Sequence, residues 1–421
     1  MDITGKTFPL TGSNDLDPLL NRIGNSRIVM LGEASHGTHE YYTWRSAITK
    51  RLIGEKGFNL VAVEGDWPDC YRVNRYIRGY DEQEKEAAEV LKTFNRWPTW
   101  MWGNWEVASL ISWLKDSNSK KSPDKRTGFY GLDVYSLWES METLISYLEN
   151  NDPPAARIAE KAMQCFERTG RDEKAYAINS LSDPCRQEVT NLLREIREKA
   201  PSYDHDPEAA LNTAQNAYII SEAEKYYASM VSFNDQSWNI RDTHMMETLN
   251  RIMEFHGPDS KVIIWEHNTH IGDARYTDMK QTGTLNTGQL AREQYGEEDV
   301  VLVGMGSYEG KVTAGSNWGT PEQEMDLPKA TEGSWEAELH NESPDDRLII
   351  FSRNGNEKEQ LFPHRAIGVV YHPQFEQRNY VPTVINRRYD AFIYLDRTKA
   401  LHSLHTSQDR GQLPETYPFE F

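Results

Sequence analysis

Histidines and carboxylates recur just after short apolar runs along this chain. Residues 27–31 lead into Glu33 and His36, residues 60–63 into Glu64 and Asp66, and residues 261–265 into Glu266, His267 and His270. A neutral imidazole beside a carboxylate suits general-base work. Its ordinary pKa lies near neutrality, and the carboxylate fixes its tautomer and orientation. A lone histidine at a strand end is more often structural, because imidazole satisfies loop hydrogen bonds well. Three such ends carrying the same chemistry shift the balance toward a site. The same residues offer a rival chemistry: two histidines with Glu33 or Glu64 would make three ligands of an open zinc site.

Other signatures are missing. The chain has no G-x-S-x-G nucleophile elbow, no phosphate-binding P-loop and no H-E-x-x-H helix. Gly304-Met305-Gly306 follows an apolar run, but the third glycine stands at 310, one position late for a dinucleotide fingerprint. Without a serine elbow, water is the expected nucleophile. The densest aromatic run, residues 96–105, includes Trp97, Trp100, Trp102 and Trp105. It reads either as the lining of a pocket for a large substrate or sugar face, or as a packed turn before a helix over 106–114.

Apolar runs of four to six residues bounded by polar segments read as buried strands, here at 27–31, 60–63, 128–130, 261–265 and 300–303. Tyr41, Trp44, Ile48 and Leu52 share one helix face, with Thr38 as N-cap and Gly54 or Gly57 as the stop. Strand, helix, strand predicts a parallel pair with a right-handed crossover, and the same holds for residues 300–303 and the helix before them. Further strands are expected at 347–351, 366–371 and 391–395. Residues 311–338 read as loop or hairpin, and the polar tail from Leu401 as a surface wrap. Residues 137–256 are mostly charged and helix-forming, broken at Pro153-Pro154, Asp183-Pro184 and Asp206-Pro207, with long helices over 211–231 and 240–255. The expected fold is therefore α/β, a mostly parallel central sheet flanked by helices, with an inserted helical lobe. Residues 1–136 and 257–421 would form the core, and 137–256 the lobe, as a lid over the cleft or as a layer on the sheet. In such sheets ligands bind outside the carboxyl ends of the strands, where the three His and carboxylate loops would meet.

Composition narrows the class. The chain has 421 residues, 38% hydrophobic and 11% aromatic, which excludes a disordered chain, a collagen and a coiled coil. With 46 basic and 65 acidic residues the net charge is −19, the wrong sign for duplex nucleic acid or an anionic membrane. No run of about 18 apolar residues suggests a membrane span, and no basic-then-apolar leader is seen at the N-terminus. Three cysteines without C-x-x-C spacing argue against a disulfide framework and a cysteine zinc site, and make a reducing cytoplasm the expectation. No oligomeric state is read from the sequence.

A family resemblance then joins these pieces. Gly32-Glu33-Ala34-Ser35-His36-Gly37-Thr38-His39-Glu40, with Arg45 downstream, resembles the opening motif of the erythromycin esterase family. Val63-Glu64-Gly65-Asp66-Trp67, Trp238-Asn239-Ile240-Arg241-Asp242, Trp265-Glu266-His267-Asn268-Thr269-His270-Ile271-Gly272-Asp273 and Arg388-Tyr389-Asp390-Ala391-Phe392 are also similar to it. The resemblance spans roughly residues 28–397. It implies an α/β core with helical additions and hydrolysis of an ester, in the known cases a macrolide lactone, as in macrolide resistance. Some relatives carry the label succinoglycan biosynthesis protein. His36 matches the family's proposed general base, and Glu33, Arg45, Glu64, His267 and His270 match residues of its cleft.

The expected protein is thus an ester or lactone hydrolase acting on a small molecule. His36 takes the proton of water, and Glu33 or Glu64 orients it. Arg45 either binds the oxyanion or pairs with Glu33 or Glu64. His267 and His270 protonate the leaving alcohol, hold the oxyanion, or satisfy loop carbonyls. Asp66, Trp67, Trp100, Trp102 and Arg241 are the expected substrate contacts. No cofactor is expected, a divalent metal such as zinc being the alternative. The candidate ligands come from three loops and a guanidinium belongs to the same set, which would repel a cation. The alternative function is a non-catalytic binding or regulatory protein for a polysaccharide or lipid-linked intermediate.

Overall fold

In the computed structural model, residues 5–80, 86–171, 173–180, 185–199, 208–230, 236–352 and 361–405 are described. The strands are β1 (Gly5–Pro9), β2 (Ile28–Leu31), β3 (Leu60–Asp66), β4 (Gly128–Asp133), β5 (Val262–Trp265), β6 (Val300–Gly315), β7 (Glu322–Leu327), β8 (Arg347–Phe351), β9 (Phe362–Arg365), β10 (Tyr380–Thr383) and β11 (Ala391–Thr398). One sheet runs β1-β8-β11-β6-β2-β5-β3-β4, with β7 folded back on the far half of β6 and β9 paired with β10 apart from it. β11, β6, β2 and β5 are mutually parallel, and β1 and β8 close one edge antiparallel. The fold is α/β with a mostly parallel sheet flanked by helices. β2 and β5 are buried along their whole length, as strands covered on both faces must be.

The helix His39–Glu55 forms between β2 and β3. Tyr41, Trp44, Ile48 and Leu52 are all buried, and Gly57, at φ +73°, follows its end. Two expectations about pairing change. β2 and β3 are not neighbours, because β5 lies between them, and β5 and β6 are likewise separated by β2. Both crossovers skip a strand and interleave, so β2 and β5 become partners, with Leu31 level with Trp265. Residues 366–371 form no strand. Their backbone makes single bridges only, Ser35 with Ile367 and Gly315 with Val370. The segment 311–338 contains the β6–β7 hairpin. The start of the tail is not a surface wrap: Leu401, Ser403 and Leu404 are buried. Leu401 donates its backbone N–H to Gly37 and Leu404 to Gly103. The rest of the tail, Asp183-Pro184 and Asp206-Pro207 lie outside the described residues.

The chain divides into two compact units, Met1–Ala62 with Val73–Phe129 and Ser260–Phe421, and Val63–Arg72 with Tyr130–Asp259. The second is helical. Leu137, Met141, Leu144 and Leu148 repeat at helix spacing on the helix Leu137–Asn151 and are buried. Pro153-Pro154 opens the helix Pro153–Phe166 as well as breaking the one before. Both prolines fit the first turn, and Asp152 caps the N–H of Ala155 at 3.3 Å. The long helices run Ala209–Met230 and Gln236–His256. The cysteine expectation is corrected here: Cys165 and Cys185 form a disulfide within this unit, leaving Cys70 free and buried. Neither spacing nor an odd count forbids one bridge. The basis for expecting a reducing compartment falls with it. No helix among the described residues is long and apolar enough to cross a membrane.

Candidate active site

The loops after β2 and β5 start side by side because those strands pair in parallel. Asn268 stitches them together. Its N–H donates to the carbonyl of Glu33 at 2.8 Å. Its side-chain amide donates to the carbonyl of Met305 on β6 at 2.6 Å and accepts from that residue's N–H at 3.3 Å. The approach is tight enough to require glycine: a Cβ on Gly32 would stand 2.1 Å from the Asn268 amide oxygen. At Gly37 a Cβ would lie 1.8 Å from the carbonyl of Thr313. Gly37 also accepts backbone N–H groups from Thr313 and Leu401, so the peptide after His36 is held from two sides.

Four expected residues, Glu33, His36, Arg45 and His267, come together on this frame, and His270 follows on the next turn. Glu33 is fully buried and splits its carboxylate: Oε1 lies 2.9 Å from His36 Nδ1, and Oε2 accepts from Arg45 Nη2 at 2.6 Å. Arg45 is itself fully buried. Its guanidinium lies over the rings of Tyr42 at 4.3 Å and Trp265 at 4.6 Å. His267 lies against His36, ring centroids 4.9 Å apart. His270 is buried on the single helical turn Asn268–Ile271 that His267 caps.

The hydrogen bonds assign the tautomers. His36 presents Nδ1 to a carboxylate, so Nδ1 carries the proton and Nε2 the lone pair. His267 Nδ1 accepts from the N–H of Thr269 at 3.3 Å, so its proton sits on Nε2. The paired rings therefore offer one basic nitrogen and one N–H donor. That arrangement can take a proton from water and donate to a developing oxyanion.

The remaining expected residues fall as follows. Glu64, Asp66, Trp67 and Arg241 belong to the second unit. There Arg241 Nη2 donates to Glu64 Oε1 at 2.7 Å and to Asp133 Oδ2 at 2.6 Å, and its Nε to Asp133 Oδ1 at 2.9 Å. Burial works against the Arg241 charge, but Asp133, Tyr135 and Glu64 outweigh it, so its pKa stands well above the ordinary value. Trp67 is fully buried, stacked between Tyr71 and Tyr130, with its indole N–H on Asn212. Asp66 is partly buried. In the first unit Trp100 is fully buried, 5.6 Å from Trp97, and Trp102 packs edge-on to Tyr42 at 6.3 Å. The aromatic run thus packs before the helix Trp105–Ser119.

Sequence reasoning gave Asn268 no role and passed over three supporting residues. His364 meets Glu336 at 2.5 Å, both fully buried, and its Nε2 lies 3.2 Å from the Asn268 amide. Burial alone would raise the Glu336 carboxyl, but His364 and Arg365 hold it below the usual carboxylate range. Arg388 Nη2 donates to the Asn268 carbonyl at 2.8 Å. Asn268 stood within a quoted motif and was legible. Glu336 and His364 lie outside any strand-end pattern and only folding joins them.

Comparison with known proteins places the chain as a whole. The erythromycin esterase family model matches residues 53–398, a span that begins after His36 and Arg45. A putative hydrolase, YbfO, of Bacillus subtilis strain 168 is 23% identical over 413 residues, 92% of this chain and 88% of that protein. Erythromycin esterase type II of Escherichia coli is 23% identical over 374 residues, 83% of this chain and 86% of that one. Among solved structures, a succinoglycan biosynthesis protein superposes with a TM-score of 0.76 at 22% identity, covering 94% of this chain and 95% of that one. A mutant of the erythromycin esterase EreC in its open conformation superposes with a TM-score of 0.69 at 16% identity, covering 94% and 98%. With the family model matched over far more than half of its length, the chain belongs to the erythromycin esterase family.

Proposed function

We propose that this protein hydrolyses a carboxylic ester or lactone of a small molecule, with water activated by His36. The observation that carries the reading is the 2.9 Å contact between His36 Nδ1 and Glu33, with the His267 ring tilted against that of His36 at 4.9 Å. Membership of a family whose relatives are named hydrolase and erythromycin esterase supports the reaction class.

In the first step water attacks the carbonyl carbon while His36 Nε2 takes its proton, and the carbonyl oxygen becomes an oxyanion. Glu33 stabilises the resulting imidazolium and holds its plane. His267 Nε2–H donates to the oxyanion, and His270 beside it is the candidate second donor. In the second step the carbon–oxygen ester bond breaks, and the imidazolium of His36 returns the proton to the leaving alkoxide. The products are a carboxylic acid and an alcohol. Arg45 is a positioning residue here. Fully buried under Tyr42 and Trp265, it serves the reaction through Glu33 rather than by meeting the oxyanion. Glu64, Asp66, Trp67, Trp100, Trp102 and Arg241 stay as candidates for substrate recognition, to be tested singly.

No metal takes part in this reading. Both oxygens of Glu33 are engaged, one by an imidazole N–H and one by a guanidinium. A cation on that carboxylate would have to displace Arg45 and stand beside its charge. The test is hydrolysis of a panel of esters, lactones and macrolides by wild type and His36→Ala. Loss of turnover in the variant is expected. Equal rates on every substrate turned over would overturn the role of His36, and ligand-induced stabilisation without turnover would favour a binding protein instead.

A further inference from the structure

Away from the proposed catalytic set, His39, Glu106 and His402 meet although 67 and 296 residues separate the histidines from the glutamate. Their ligand-type atoms all lie within 4.8 Å of one another. His39 is the first residue of the helix His39–Glu55, Glu106 lies in the first turn of the helix Trp105–Ser119, and His402 sits on the chain after β11. The histidine rings are edge-on, centroids 5.3 Å apart. Each presents Nδ1 to the same oxygen, Glu106 Oε1, at 2.6 Å.

As a hydrogen-bond network this arrangement is lopsided. Three N–H groups converge on Oε1: Nδ1 of His39, Nδ1 of His402 and, at 3.3 Å, the backbone N–H of His402. A carboxylate oxygen has about two lone-pair directions. The other oxygen, Oε2, is buried with no hydrogen-bond partner among the described residues. Glu106 is 2% exposed, and a buried carboxylate oxygen left without a donor is costly. Two imidazoles and a buried carboxylate that crowd in this way are better explained as ligands facing one positive centre than as donors competing for one acceptor.

We propose that His39, Glu106 and His402 bind one divalent transition-metal ion of the zinc class, which clips the carboxyl-terminal segment to the loop that carries His36. Two nitrogens and one oxygen suit zinc, whereas magnesium and calcium take oxygen ligands. Tetrahedral bonds of about 2.0–2.2 Å would part the ligand atoms to about 3.3 Å, a small opening of the present contacts. The fourth position falls to water, because the His402 side chain is 35% exposed and the His39 side chain 13%. The backbone around the site is already laced: His39 N–H donates to Lys399, Trp105 N–H to His402 and Leu404 N–H to Gly103. An ion there would close a loop from the start of the fold to its end, where a cross-link constrains the unfolded chain most in theory.

The test uses the full chain, stripped with a chelator, dialysed and titrated with zinc sulfate alone. Calorimetry should show one zinc per chain, a thermal midpoint that rises with zinc, and far weaker binding of magnesium. His402→Ala and His39→Ala should each weaken zinc binding at least about 100-fold while circular dichroism shows the fold intact. A zinc-edge anomalous map of wild-type crystals should place the ion between these three side chains, a result that does not depend on any variant folding. No stoichiometric binding would overturn the proposal. So would unchanged affinity in the variants, or an anomalous peak on other residues, such as those around His36.

Discussion

His36 and Arg45 share one carboxylate: Glu33 gives Oε1 to the imidazole at 2.9 Å and Oε2 to the guanidinium at 2.6 Å. The base is thus oriented by a group that is itself clamped. Replacing the base should differ sharply from replacing the clamp. His36→Ala should lower kcat by about 10²–10⁴ without a change in fold, the size of a general-base contribution. Glu33→Gln should also lower kcat, while substrate affinity changes little, because the amide holds the ring but cannot balance the imidazolium. Steady-state kinetics on any substrate that is turned over checks both.

Arg45 should report on stability before it reports on catalysis. Arg45→Ala leaves the Glu33 charge buried without its cation and should cost about 3–5 kcal/mol. Arg45→Lys keeps a charge but loses the planar group that lies over Tyr42 and Trp265, so a smaller loss is expected. Urea unfolding of the two variants and wild type would show the order. A fully stable Arg45→Ala protein would mean that Glu33 finds another partner.

Hydrolysis should survive chelation. After exhaustive removal of divalent ions, kcat measured well below the unfolding midpoint should match that of untreated protein. Recovery of a lost activity by stoichiometric zinc would recast His36 and His267 as ligands. A fall in thermal midpoint without a fall in kcat is the pattern expected if the ion belongs to His39, Glu106 and His402.

The second unit should be sensitive to mild acid through His244. Burial, aided by Arg251 and Lys225, lowers its pKa from 6.5 to about 3 despite the opposing pull of Asp133. It stacks on Tyr218 at 5.1 Å. The folded state therefore holds it neutral, while the unfolded chain protonates it as pH drops through 6.5. Its stabilising effect is complete above that pH and is lost progressively as pH falls toward about 3. Between pH 6.5 and 5 the loss should be roughly 1–2 kcal/mol. Urea unfolding at several pH values should show this slope in wild type and a flatter one in His244→Gln.

Reduction should weaken the same unit. Cys165 and Cys185 are 20 residues apart, and a loop of that size restrains the unfolded chain by about 3 kcal/mol. A reducing agent, or the double substitution of both cysteines by serine, should lower the unfolding midpoint. Unchanged unfolding would mean that the helices Pro153–Phe166 and Arg186–Lys199 hold together without the bridge.

Much of the fold was written locally. The apolar runs became β2, β3, β4, β5 and β6, and the stripe Tyr41, Trp44, Ile48 and Leu52 became the buried face of one helix, because burial and period are properties of neighbouring residues. The chemistry at the strand ends was equally visible, so Glu33, His36, His267 and His270 could be named from their order alone. Pairing was another matter. Nothing local tells β2 to skip β3 and take β5 as its partner, yet that choice puts the loops of His36 and His267 side by side. The disulfide, the Glu336–His364 pair under Asn268 and the meeting of His39, Glu106 and His402 were hidden for the same reason. Each joins residues far apart in the chain, and such contacts exist only once packing has paid the entropy of bringing them together. The sequence by itself determined which residues could do chemistry and which stretches would be strands or helices. The tertiary structure decided which of those residues meet, because long-range proximity follows from strand order and not from any local pattern.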